Sequence, residues 1–155
     1  MIEVQELFDA INQAGLGRAM VRVADATYGV PSLRYITEDF ASWWRLKLKE
    51  RGLGVWEPTW DCDDFAWTCY TDIRWAHYNT RKSQAEGISL GVMYYNAGER
   101  AEGGGGGGHA INLAYVEDGG EKKLVFLEPQ FLASGRPPIL NLTPAEIKSC
   151  WFVNF

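Results

Sequence analysis

Asp61-Cys62-Asp63-Asp64-Phe65-Ala66 is the stretch on which the fold turns. Asp61 is a good helix N-cap, because its short carboxylate can accept from the first free backbone N–H groups. Pro58 holds the residue before it extended, so the helix begins after it. From Cys62 to about residue 78, Cys62, Phe65 or Ala66, Cys69, Ile73 and Ala76 fall on one stripe of that helix. Cys62 therefore sits in the first turn and faces the rest of the chain. Free N–H groups and the helix macrodipole there favour a thiolate, the reactive form of a cysteine.

Upstream, Val4, Leu7, Phe8 and Ile11 make one face of a short helix that Gly15 or Gly17 ends. Residues 19–24 can form a strand, and 28–32 read as a turn. Thr37 reads as the cap of a second helix, with Phe40, Trp43, Trp44 and Leu48 as its buried face. Trp43 and Trp44 are read as core. Arg45, Lys47 and Lys49 suit that helix's C-terminal part, and Gly52 or Gly54 closes it.

Downstream, the chain turns to β-formers. Residues 88–95, 109–116, 122–128 and 150–155 are candidate strands. Between the first two lie six consecutive glycines, 103–108, read as a mobile flap over a cleft, a flexible loop or an anion cradle. Pro137-Pro138 suggests a loop, and Thr143-Pro144-Ala145-Glu146-Ile147 a last short helix.

Glu117-Asp118-Gly119-Gly120 is a strong hairpin signal. If Asp118 and Gly119 are the loop residues, His109 faces Glu128 directly. If Gly119 and Gly120 are, His109 faces Gln130 and Glu128 becomes the diagonal neighbour. Either register puts a hydrogen-bond acceptor beside the imidazole. Glu128 is favoured as its orienter, with Gln130 as the substitute.

One cysteine, one histidine and one carboxylate, in that order, suggest a nucleophile, its base and the base's orienter. Cys62 would attack, His109 would take its proton, and Glu128 would hold the imidazole and stabilise its charge. The backbone N–H of Cys62 is a natural oxyanion donor, with the indole of Trp56 or Trp60 as a second candidate. The carboxylates of Asp61, Asp63 and Asp64 disfavour a thiolate. The expectation is that Asp61 caps the helix while Asp63 and Asp64 point to solvent or to an arginine. Cys69 and Cys150 read as plain buried thiols.

Asp-Cys-Asp-Asp-Phe-Ala, Gly108-His109-Ala110 and Leu127-Glu128-Pro129-Gln130 together resemble the transglutaminase-like cysteine peptidases of bacteria and their phages, within the papain-like superfamily. The resemblance covers residues ~55–130. It implies an α+β fold with a papain-like or transglutaminase-like core, in which the Cys-bearing helix packs on an antiparallel sheet. It further implies a single papain-like cysteine hydrolase domain over residues 1–155. The implied activity is that of a cysteine peptidase or amidase (EC 3.4-like), a thiol protease cleaving a peptide, isopeptide or other amide through an acyl-enzyme. The Gly-Gln-Cys-Trp run of true transglutaminases is absent, which favours hydrolysis over cross-linking. Asp63-Asp64 stands where the related cell-wall peptidases have Ser-Gly.

Composition narrows the partners. A net charge of −5 and few basic clusters argue against nucleic acid or an anionic membrane. No apolar run approaches the ~20 residues that span a bilayer, and the N-terminus has no secretion-signal pattern. Three cysteines are an odd count for a disulfide framework, so they are read as reduced, in an intracellular protein or a virion. The expected partner is a protein or peptide substrate, with no cofactor and no metal. Oligomeric state is not legible. The competing reading is a catalytically inert papain-like binding module whose Trp-rich surface takes a protein or glycan. A metal site from Asp61, Asp63, Asp64 and His109 ranks last, because residues adjacent on a helix diverge.

Overall fold

The computed structural model describes residues 1–80, 87–98 and 107–155. The chain begins with strand β1 (Ile2–Glu3), helix α1 (Val4–Gln13), strand β2 (Met20–Arg22) and strand β3 (Thr27–Gly29). A π-helical stretch (Tyr35–Phe40) runs straight into α2 (Ala41–Arg51). Helix α3 (Cys62–Thr80) follows, then β4 (Gly87–Ile88), β5 (Leu90–Asn96), β6 (Gly108–Asp118), β7 (Glu121–Leu127), α4 (Pro129–Ser134), β8 (Ile139–Leu140), α5 (Pro144–Lys148) and β9 (Phe152–Asn154). The flap or anion cradle expected of the hexaglycine falls for the most part outside the described residues.

The strands form two sheets, ordered β1-β3-β4 and β2-β9-β5-β6-β7-β8. Both are mixed. β2 runs parallel to β9, and β3 runs parallel to β4. This corrects the expected antiparallel, papain-like core: the C-terminal strand β9 is inserted between β2 and β5, joining chain ends that no local pattern links. Gly91 permits that insertion, since a Cβ there would meet the Asn154 carbonyl oxygen. Residues 28–32 are likewise not a simple turn, because Tyr28 and Gly29 pair in a sheet.

The large sheet is buried on both faces. Along β6, Ala114 and Val116 pack with Trp44, Phe65, Cys69 and Ile73 on one side, while Ile111 and Leu113 pack with Leu7 and Ile11 on the other. Two-sided burial accounts for the nearly unbroken apolar run of this strand. Ala66 on α3 meets Ala110 and Val92 on the sheet, small side chains that let helix and sheet come close. The Asn112 side-chain amide donates to the carbonyls of Ala66 and Gly91, each at 3.0 Å, and so fixes the first turns of α3 against β5 and β6.

The second helical segment starts earlier than Thr37. The Ser32 hydroxyl accepts from the Tyr35 N–H at 3.1 Å, and Thr37 instead donates to the Leu33 carbonyl. Gly52 ends α2 with φ 73, the left-handed conformation expected of its cap. Within this fold Trp44 donates to Asp72 at 3.1 Å, and Arg51 grips the same carboxylate through two nitrogens at 2.7 and 3.1 Å. That network ties α2 to α3.

Candidate functional site

The hairpin β6–β7 uses Gly119 and Gly120 as its loop, with Asp118 opposite Glu121. Both glycines have positive φ, 61 and 89, as a primed turn requires. This is the second of the two registers weighed above. The ladder stops at Asn112 and Leu127, however, so Gln130 never comes to face His109. The chain turns at Glu128, which N-caps α4, with Pro129 locking its first turn.

That turn swings the Glu128 carboxylate into the site. Its Oε2 lies 2.7 Å from His109 Nε2. Its Oε1 accepts from the Gln130 backbone N–H at 3.2 Å. Both side chains are almost fully buried, at 4% and 6% exposure. The carboxylate beside His109 is therefore that of Glu128, and Gln130 contacts it through its backbone N–H. The His109 ring also meets Tyr95 edge-on, with centroids 5.8 Å apart.

Cys62, half-buried at the start of α3, hydrogen-bonds the His109 ring. With Nε2 committed to Glu128, Nδ1 is the nitrogen left for the thiol. Burial alone would push His109 down. The hydrogen bonds from Cys62 and Glu128, together with the Glu128 charge, outweigh it and raise His109 to about 9. The imidazole thus keeps its proton at neutral pH, between a carboxylate and a sulfur.

The acidic residues around Cys62 are engaged with one another. Asp61 Oδ1 accepts from the Asp63 N–H at 3.3 Å, and Asp64 reaches back to the Asp61 N–H at 3.1 Å. Asp61 therefore caps α3 as expected, and Asp64 completes a reciprocal cap rather than pointing to solvent. Asp63 departs further from expectation. A side-chain hydrogen bond with Asp61, then burial and the Asp61 charge, raise its carboxyl to about 6. The ligand atoms of Asp61, Cys62 and Asp63 lie within 4.8 Å of one another. Adjacent residues do converge here, because the Asp61 side chain folds back over the helix start. Asp64 and His109 are not part of that group.

Trp56 and Trp60, the second-donor candidates, flank a tight turn in which Glu57 and Trp60 exchange backbone hydrogen bonds. Trp60 packs edge-on against Phe65, and its Nε1–H is buried without a hydrogen-bond partner. Trp56 is exposed.

Aromatic residues absent from the sequence reading line the same region. Trp67 Nε1–H donates to the Tyr94 hydroxyl at 2.8 Å. Burial raises the Tyr94 phenol, the Trp67 hydrogen bond opposes it, and the nearby charges of Asp63, Cys62 and Asp61 add to it. Tyr94 lies 6.1 Å from Trp151, whose ring rests against Gly108, where a Cβ would approach it to 3.0 Å. Trp151 is 49% exposed. The signal for Trp151 was the last glycine before His109, which a side chain would turn into a clash.

The model of the Agglutinin C-terminal family matches residues 36–133. The chain belongs to that family. No curated protein matches it. Among solved structures it is similar to one described as a PSL1a–E64 complex, with a TM-score of 0.60 and 18% identity over 94% of this chain and 48% of that one. It is also similar to Polyporus squamosus lectin bound to the human-type influenza-binding epitope Neu5Aca2-6Galb1-4GlcNAc, with a TM-score of 0.58 and 18% identity over 95% of this chain and 47% of that one. At such identity the likeness speaks for the fold. The chain spans about half the length of these structures.

The identification with transglutaminase-like peptidases is thereby corrected: the family is an agglutinin one, and the fold is one shared with a lectin. The papain-like core, the phage-protein description and the thiol-protease assignment rested on that resemblance, and the hydrolase assignment on it together with the Cys62, His109 and Glu128 order. With the relatives being an agglutinin family and a lectin, the assignment as a cysteine peptidase or amidase loses its basis and is withdrawn.

Proposed function

We propose that this chain is a recognition module of an agglutinin-type protein, engaging a glycan-bearing partner at the surface where the start of α3 meets β5 and β6. Membership of the Agglutinin C-terminal family carries this reading. The lectin of similar fold, solved with a sialylated trisaccharide, supports it. So do the partly exposed rings of Trp67, Tyr94 and Trp151 at that surface, since flat aromatic faces with a polar edge suit the C–H face of a sugar. A glycan array probed with the whole chain, followed by titration of the best saccharide, tests the reading. Binding weakened at least severalfold by Trp151→Ala is the expected result. An array without signal from well-folded protein contradicts it.

A second reading is favoured by one observation, the 2.7 Å contact between His109 and Glu128. Under it, Cys62, His109 and Glu128 form a thiolate–imidazolium pair held by a buried carboxylate, and Cys62 reacts with electrophiles that reach it. Cys69 and Cys150 do not compete. Burial pushes both thiols up, Cys150 to about 11. Alkylation read by peptide mass should find Cys62 fast near neutral pH and slowed in His109→Ala. Equal, slow reaction of all three thiols contradicts the pair.

A further inference from the structure

At the far end of α3 from Cys62 lies a groove that nothing above uses. It is a cavity of about 270 Å³ lined by Tyr35, Asp39, Phe40, Trp43, Trp75, Asn79 and neighbours. Trp43 and Trp75 stack, with centroids 6.1 Å apart and planes within 12°. Trp75 stays 60% exposed, so its outer face is open to a ligand. Thirteen residues of helix at ~1.5 Å each separate Trp75 from Cys62 by roughly 20 Å.

The groove's polar groups are the Tyr35 hydroxyl, the two indole N–H groups, the Asp39 carboxylate, Asn79 and Thr80. Asn79 spends an amide hydrogen on the Trp75 carbonyl at 2.9 Å. Thr80 donates to the carbonyls of Ala76 and His77 at 3.2 and 2.9 Å. What these two residues offer a ligand is chiefly acceptors. Asp39 adds a carboxylate, close enough that its charge raises the Tyr35 phenol further after burial. Arg34 is paired with the neighbouring Glu38 and also feels the Asp39 charge, while no lysine or arginine is among the described lining residues. Aromatic faces, spare acceptors and one carboxylate complement a cation with N–H donors on an apolar stem. The carboxylate disfavours an acidic sugar.

We propose that this groove is a second binding site, taking a small alkylammonium ion, with its stem on the Trp43–Trp75 pair and its charge toward Asp39. The site is independent of the surface beside Cys62. Titration of the whole chain with n-butylammonium at neutral pH, followed by the indole N–H signals in ¹H–¹⁵N spectra, reads it directly. The Trp43 and Trp75 signals should shift and saturate. Asp39→Asn should weaken binding about three- to fivefold, a typical size for a partly exposed cation–π and charge contact. Trp75→Ala should abolish it, and both residues are exposed enough that the fold survives. Neutral n-pentanol binding as tightly as the amine would overturn the proposal, as would unchanged affinity in Asp39→Asn. Shifts with methyl β-galactoside but none with the amine would overturn it too, and would name a sugar as the occupant. Cys62 alkylation serves as the control: it should be indifferent to the amine.

Discussion

At the scale of single residues, the site is defined by where protons sit. His109 is raised to about 9 against an ordinary 6.5, so its protonated form is bound more tightly in the folded chain. The stability it contributes is fully present below about pH 6.5 and is lost as pH rises through about 9. Glu128→Gln removes the charge but keeps the shape. The His109 ring signal, one of only two histidine sets, should then titrate at least one unit lower than in the wild type. An unchanged midpoint would mean that Glu128 does not govern the ring. Asp63 has the same sign with a different window. Its carboxyl is raised from 3.8 to about 6, so its favourable proton is present below about 3.8 and lost as pH rises through about 6. Above that, Asp61 and Asp63 repel. Asp63→Asn should therefore raise thermal stability at pH 7 and flatten its decline between about pH 4 and 6. The gain should stay below ~1 kcal/mol, since the group is largely solvated. Melting curves at pH 4 and 7 check this. That Glu128 lies beside His109 was legible from the hairpin signal, though the sequence placed Glu128 on the strand and the structure places it at a Pro-locked turn. The Asp61–Asp63 pairing was not, because it depends on how a cap side chain folds back rather than on residue order.

At the scale of elements, α3 is the beam that carries Cys62 at one end and the aromatic groove at the other. Its attachment to α2 runs through Asp72, which accepts from Trp44 and Arg51. Asp72→Ala leaves the fully buried Trp44 indole without its acceptor, and should cost ~2–3 kcal/mol. Arg51→Ala should cost under ~1 kcal/mol, because that side chain is 42% exposed. Urea denaturation of both variants tests the difference, and equal losses would contradict a buried anchor at Trp44. Helices α1 and α3 were readable from their apolar stripes, and the central strands from their β-formers. Helix α4 was missed. Its short length leaves no periodicity to read, and Glu128-Pro129 was taken for a strand end, though an acid followed by proline is also a cap and first turn. That one element decides the site, because α4 is what turns the Glu128 carboxylate toward His109.

At the scale of the whole molecule, three residues of suggestive chemistry pointed to the wrong family. A thiol at a helix start beside an imidazole and a carboxylate is a local arrangement, and local arrangements recur on unrelated chains. What distinguishes this chain is long-range. β9 lies parallel to β2, and β3 parallel to β4, pairings between distant segments that leave no periodic trace in sequence. Among the described residues, no helix is long and apolar enough to cross a membrane. Two aromatic surfaces remain, the one near Trp151 and the groove at Trp75, separated by the length of α3. The central claim is that a glycan-bearing partner binds at the surface where the start of α3 meets β5 and β6. Its most direct test is the alkylation rate of Cys62, read by peptide mass, with and without each of a panel of free saccharides at saturating concentration. The account predicts that at least one saccharide slows Cys62 severalfold while Cys69 and Cys150 stay unreactive. A Cys62 rate untouched by every saccharide, in protein shown to be folded, would contradict it.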